Sequence, residues 1–357
     1  TAQPASNAQQ PDQYFRLQGT IGDMPVTVHL VGSLSGNGTG ALFDGYYAYD
    51  KSTEPISLYG MMDSTGKKIV FEEAYSGNEP NKIEGTMSPD GSFTGIWSDP
   101  TGKKTYPVSW KPSMMAGSVA FKGAIYKDSL AAKPGVKNGP MANYEQNWLL
   151  PVDATEPALK GFLEKEIYKG MLGDSLGNLA KSAANAFEMG KNQSFEGYQE
   201  QTKDWDPADS TMGVAMYMQD GIVSMQVFFN ENNLLTLGFM EYAYTGGAHG
   251  NYGTEVKSYD LAKKQVIKLD DLFKPGYKKK LTVALNKNAR RKFGLAPNAK
   301  LSTILFDDSI APNENFGLTS KGIFFNYTPY EIASYAQGEI QVFVPFEDIK
   351  DILKEPK

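Results

Sequence analysis

From Tyr14 to Trp110 the apolar residues come in short runs broken by turn-forming residues. The runs "YFRLQGTIG", "PVTVHLVG", "GALFDGYYAYD", "PISLYGMM", "KKIVFEEAY", "KIEGTMS", "SFTGIWSD" and "KTYPVSW" show no helical period. Clusters such as "SGNGTG", "STGK", "SPDGS" and "DPTGK" separate them, and their residues supply the dihedral angles and local hydrogen bonds that turns require. About eight strands at regular spacing predict an antiparallel meander, closed into a barrel whose interior is filled or holds one small ligand. In "PVTVHL" a period of two sets Val26, Val28 and Leu30 on one face and Thr27, His29 and Val31 on the other. His29 is therefore expected at the surface or rim.

The pattern changes after Lys111. "KPSMMAGS" and "AAKPGVKNGPM" have linker composition, with the strand-like "VAFKGAIYKDSL" between them. Beyond Met141 helical and strand periods mix. "NYEQNWLLPV" reads as a strand. "ATEPALKGFLEKEIYKGML" reads as a helix capped by Thr155, with Pro157 in its first turn and Leu159, Phe162, Leu163, Ile167 and Leu172 on one face. A helical stretch ending at Gly190, a shorter helix over "NQSFEGYQEQTKDW", three strands between Ser210 and Tyr244, and a hairpin over "TEVKSYDLAKKQVIKL" follow. A helical turn, a longer helix, two strands and a terminal helix complete the chain. The expected fold class is α+β. A disordered tether spans 1–13, an all-β barrel-like domain 14–111, and an α+β domain with helices on an antiparallel sheet 117–357.

Composition narrows the chemistry. The chain has 357 residues, no cysteine, two histidines and a net charge of −6. Thiol nucleophiles, disulfides and cysteine-ligated zinc are excluded. An acidic chain does not suit nucleic acid as main partner. No run approaches the roughly 18 apolar residues that cross a bilayer. The leader "TAQPASNAQQPDQ" has too little apolar surface to fold; a tether after a removed signal segment, or the tail behind a lipidated cysteine, has this composition. The expected location is extracytoplasmic, in the periplasm or on the outer cell surface, with a lipid anchor and no cofactor or metal.

Candidate binding residues gather in two stretches. "EYAYTGGAHGNYGTEVKSYD" carries Gly246, Gly247, Gly250 and Gly253 around His249, with Tyr244, Asn251 and Tyr252 beside it. Glycines permit φ > 0 and close backbone approach, so a twisted hairpin tip accounts for the loop, and His249 serves structure or contacts a ligand. A catalytic histidine needs an orienting partner; Glu241, Glu255 and Tyr244 are the nearby candidates, and no G-x-S-x-G elbow is present. The second stretch, "PYEIASYAQG", adds Tyr330 and Tyr335 to Tyr327, side chains with apolar bodies and polar tips suited to recognition surfaces. The same tyrosines also suit packing beneath a loop. Lys274 to Phe293 is basic without an acidic residue. It reads as a helix with a solvated basic face or as a contact for an anionic glycan or headgroup. Adjacent Glu72 and Glu73 point to opposite faces of a strand, and Asp270 and Asp271 read as helix-start residues.

The motifs "YAYTGGAHGNYG", "LDDLFKPGYKKKL" and "PYEIASYAQG", in that order, resemble the C-terminal domain of RsiV-like proteins over about residues 144–353. The resemblance implies an extracytoplasmic protein-binding module, lysozyme being the ligand in that family's namesake. Its anti-sigma activity is not implied, because no transmembrane or sigma-binding stretch is visible here. The leading expectation is a non-catalytic cell-envelope binding module for lysozyme, another envelope protein, or a peptidoglycan glycan. The alternative is a carbohydrate-active cell-wall hydrolase, which needs two carboxylates about 5–9.5 Å apart in a cleft. A carrier of a small apolar ligand inside the barrel is the third.

Overall fold

The computed structural model describes residues 13–32, 42–63, 68–73, 79–208 and 213–355. Residues 1–12 of the proposed tether and the turns "SGNGTG" and "STGK" lie outside them, while Gln13 already belongs to a strand. Eight antiparallel strands form the expected closed barrel: β1 (Gln13–Ile21), β2 (Met24–Gly32), β3 (Leu42–Tyr49), β4 (Ile56–Met62), β5 (Lys68–Glu73), β6 (Lys82–Met87), β7 (Phe93–Ser98) and β8 (Thr105–Pro112). Pairing of β1 with β8, from Leu17↔Pro112 to Ile21↔Val108, closes it. Inward positions alternate with outward ones, and the inward set is large. Val28, Leu30, Phe43, Leu58, Ile69, Phe71, Ile83, Phe93 and Trp110 are all fully buried. Phe71 meets Phe43, Phe93 and Trp110 at ring-centroid distances of 6.0, 5.5 and 6.1 Å. Those side chains take up the barrel interior, where the carrier reading required a ligand. Glu73 turns inward and accepts from Tyr47 Oη, Trp97 Nε1 and Asn81 Nδ2, while Glu72 pairs outside with Lys82.

The rest comprises β9 (Phe121–Ala131), β10 (Met141–Pro151), α1 (Pro157–Gly177), α2 (Ala183–Thr202), β11 (Gln219–Glu231), β12 (Leu234–Tyr244), β13 (Asn251–Asp260), β14 (Gln265–Val266), α3 (Leu269–Leu272), α4 (Lys278–Lys292), β15 (Phe316–Leu318), β16 (Gly322–Tyr327) and β17 (Ile340–Pro345). One sheet has the order β14-β13-β12-β11-β10-β9 and another β15-β16-β17. The chain divides into two compact units. The first joins residues 1–120, 226–238 and 256–357; the second joins 121–225 and 239–255.

In the first unit α4 buries Leu281, Leu285 and Ala289 in a core shared with Ile323, Phe325, Val342 and Val344. Its basic outer face is ion-paired: Lys287 with Asp348, Arg291 with Glu54, and Lys280 with Asp351. Asp271 opens α3 by accepting from the Lys268 backbone N–H, as its position after a strand leads one to expect. On the barrel's outer wall, Tyr46 stacks on Phe228 at 4.0 Å. The wall is therefore covered, and His29 is buried at 4% exposure rather than at the surface or rim.

In the second unit β9 and β10 are antiparallel, but β10 and β11 are parallel, from Ala142↔Gln219 to Asn147↔Ser224. A parallel neighbour needs a crossover, and α1 with α2 supplies it. Other boundaries differ from the sequence reading. Glu156, not Thr155, caps α1, accepting from the Ala158 and Leu159 N–H groups. Capped by Ser182, α2 runs unbroken to Thr202, because its Gly190 sits in a close contact rather than at a helix end. The first of the three strands expected before Tyr244 is a 3-10 turn, Val214–Tyr217, and "QDG" lies within β11. In the first unit, three strands rather than two close the chain, and the expected terminal helix is a 3-10 turn, Phe346–Asp348.

Candidate functional site

A groove of about 520 Å³ opens in the second unit, walled by β10, β11, β12, the C-terminal part of α1 and the middle of α2. Missing side chains make the space. A Cβ on Gly170 would fall 2.4 Å from the Phe239 ring, and one on Gly190 2.5 Å from Tyr144 Oη. The helices thus come down onto the sheet at these two points, and the concavity remains between them. Here α1 also breaks, at Gly173, whose φ is +74°.

The polar groups of the groove are anchored from behind. Fully buried Gln146 donates through Nε2 to Tyr144 Oη at 2.8 Å, leaving the hydroxyl proton of Tyr144 to point elsewhere. Gln146 Oε1, on the far side of that amide, has no hydrogen-bond partner. Burial, with the charge of Glu241 adding to it, holds the Tyr144 phenol above its ordinary range, so it is a protonated donor at neutral pH. Gln219 Nε2 donates to Ser194 Oγ at 2.9 Å, and Asn143 Nδ2 to Asp220 Oδ1 at 2.7 Å. Asp220, Glu241 and Glu255 bring carboxylates to the groove, and Phe239 and Tyr242 bring aromatic faces. A donor held neutral, amides, acids and flat apolar faces are the complement of a sugar ring bearing hydroxyl and amide groups.

The glycine-histidine loop adjoins this groove without supplying it. Thr245 and Gly253 line the groove, whereas Tyr244, His249, Asn251 and Tyr252 do not. Tyr244 Oη donates to the Gly247 and Ala215 carbonyls, and His249 Nδ1 donates to the Gly250 carbonyl at 2.8 Å. Gly246 and Gly247 have φ of +85° and +102°, and a Cβ on Gly246 would meet the Met216 carbonyl at 2.3 Å. These contacts make the loop a structured turn. Asn251 is exposed and Tyr252 half-buried at the start of β13.

The other sequence candidates belong to the first unit. Tyr327 is buried in the core and donates to the Ala311 carbonyl at 2.7 Å. Tyr330 is 55% exposed at φ +70°, with its ring 5.5 Å from that of Tyr335. Glu331 folds that loop by accepting from the Thr328 N–H and from Asn313 Nδ2. Tyr144, Gly170, Gly190 and Gln219 escaped the sequence reading, and Glu241 and Glu255 entered it only as partners for His249. No spacing rule marks a residue whose role is to leave room.

Two family models match the chain: "Deacetylase PdaC" over residues 144–252 and "Protein of unknown function (DUF3298)" over residues 270–347. Among curated proteins it is similar to the peptidoglycan-N-acetylmuramic acid deacetylase PdaC of Bacillus subtilis (strain 168), 24% identical over 226 residues. That match takes in 62% of this chain and 41% of the relative, so the chain spans well under half of the relative's length. Among solved structures, a DUF3298-family protein of Bacteroides fragilis is 25% identical with a TM-score of 0.58, over 67% of this chain and 96% of that one. A DUF3298-family protein of Pseudomonas aeruginosa is 18% identical with a TM-score of 0.44, over 66% of this chain and 94% of that one. The likeness thus stands at the level of DUF3298 and PdaC, coarser than the RsiV-like proteins the motifs suggested. The expectation of a chain without catalytic function is overturned: the groove region matches a deacetylase model, and the curated relative is an enzyme.

Proposed function

We propose that this protein acts outside the cytoplasm on the glycan of the cell wall, and that the groove of its second unit takes an N-acetylated sugar of that glycan. One observation carries the reading. The stretch similar to PdaC, residues 144–252, supplies the groove from Tyr144 on β10 to Thr245 beyond β12, leaving only Gly253 and Glu255 of its described lining outside the match. The relative's name supplies the substrate class, peptidoglycan N-acetylmuramic acid, and the reaction, removal of its acetyl group. In that reaction water adds to the acetyl carbonyl, the C–N bond breaks, and acetate leaves with the amine retained on the sugar. Tyr144, protonated and anchored by Gln146, is the donor that would meet the carbonyl oxygen as it becomes an oxyanion. Glu241, which lines the groove and whose charge is felt at Tyr144, is the carboxylate that would accept the proton of the attacking water.

Acetate release from purified peptidoglycan, read beside calorimetry with N-acetylated muropeptides, tests both halves. Binding together with release that falls at least about tenfold in Glu241→Gln is the expected result. Binding without release in the parent protein removes the hydrolytic half. Absence of both overturns the reading, and lysozyme added to the same calorimeter tests the protein partner that the loop motifs suggested.

A further inference from the structure

We infer that a second pocket, on the outer barrel wall of the first unit, binds a single neutral polyhydroxylated ring of sugar size, with the buried His29 imidazole as its central polar contact. Nothing in the groove reading bears on it. The cavity is about 240 Å³, below the roughly 300–1,000 Å³ of pockets for drug-sized ligands.

A chain of hydrogen bonds holds the His29 ring in place. The Val119 backbone N–H donates to Asn230 Oδ1 at 2.8 Å, which fixes which way that amide faces. Asn230 Nδ2 then donates to Tyr14 Oη at 3.2 Å and to the Val119 carbonyl. Tyr14 Oη lies 2.8 Å from His29 Nδ1, so that ring nitrogen is engaged and Nε2 is the one left for a ligand. His29 is 4% exposed and borders the cavity. A neutral imidazole nitrogen donates or accepts according to its tautomer, and a hydroxyl group can meet it in either role.

The remaining walls select the chemistry of that ligand. Among the described residues no lysine or arginine borders the cavity, while Asp50 and Glu231 do. The nearby guanidinium of Arg16 is fully engaged, by Glu231, the Ser113 carbonyl and the Asn230 carbonyl. A phosphate, sulfate or carboxylate would find repulsion and no counter-charge. A purely apolar ligand would leave the cavity-facing side of the imidazole without a partner. Burial and the charge of Arg16 lower the His29 pKa to about 3, so the imidazole stays neutral across the physiological range. The Tyr46–Phe228 stack adds an apolar wall, Tyr46 lying across from His29 on the neighbouring strand. A ring with hydroxyls at its edge and C–H groups on its face satisfies all of them together.

The chain has two histidines, so ¹⁵N-detected imidazole spectra of the full chain, assigned with a His249→Gln variant, isolate His29. Titration with D-glucose and with N-acetylglucosamine should move the Nε2 resonance saturably, and inorganic phosphate should not. Affinity should fall at least about tenfold in His29→Leu and be largely kept in His29→Gln, whose amide restores a polar contact. Glu241→Gln in the groove should leave this titration unchanged, which separates it from the cell-wall reading. Should His29→Leu fail to fold, the parent spectra and His29→Gln decide. An unmoved His29 resonance, a folded His29→Leu that binds as the parent does, or a larger response to phosphate overturns the inference.

Discussion

The barrel and the groove solve opposite packing problems. Inside the barrel, positions at a period of two carry Phe43, Phe71, Phe93 and Trp110, and the rings touch until the interior is taken up. Around the groove, Gly170 and Gly190 stand where a helix meets a strand, and the backbone comes close while the space beside it stays open. Interiors pack at crystal-like density wherever side chains are supplied. A lasting concavity therefore has to be made by withholding them. The comparison teaches that the barrel interior is closed by its own side chains, whereas the groove is left open.

The comparison breaks most readily in the barrel. Phe71→Ala removes a ring with three aromatic neighbours and should cost about 3–5 kcal/mol in urea denaturation. A loss below about 1 kcal/mol would mean that the interior is not tightly packed.

The barrel's outer wall gives the next effect. The unfolded chain protonates His29 below its ordinary pKa of 6.5, whereas the folded chain does so only near 3. The stability this contributes is complete above pH 6.5 and falls as pH drops towards 3, by up to about 1.4 kcal/mol per unit. Denaturation curves between pH 7 and 4 should be flatter for His29→Gln than for the parent.

At the groove, Gly190→Leu drives a side chain at Tyr144 and should cost about 1–3 kcal/mol while abolishing muropeptide binding. Tyr144→Phe removes only the donor. It should weaken that binding about tenfold, read by calorimetry, and cost about 1–3 kcal/mol in stability because the buried Gln146 amide loses its partner. The smallest effect is expected on the basic face of α4. Lys287→Ala should shift stability by less than about 0.5 kcal/mol, since its pair with Asp348 is largely solvated.

Glu72 and Glu73 show how far alternation alone reaches: they part to opposite faces, one ion-paired with Lys82 and one buried under Tyr47 and Trp97. His29 shows where it stops. Its face was assigned correctly, but whether that face meets water depends on Phe228, some two hundred residues further along. The groove was less legible still. Tyr144 reads as an ordinary strand residue, and Gly190 as the end of a helix that in fact continues to Thr202.

What the amino-acid sequence determined by itself is local. The eight barrel strands, the amphipathic period of α4, the opening of α3 at Asp271 and the turn around His249 follow from periodicity and turn chemistry, because each depends on neighbours a few residues apart. The tertiary structure alone decided the parallel β10–β11 pair, the burial of His29, and a groove bordered by glycines on two helices. Each of these rests on which distant segments meet, and that is governed by the total apolar surface and volume to be packed rather than by any local pattern.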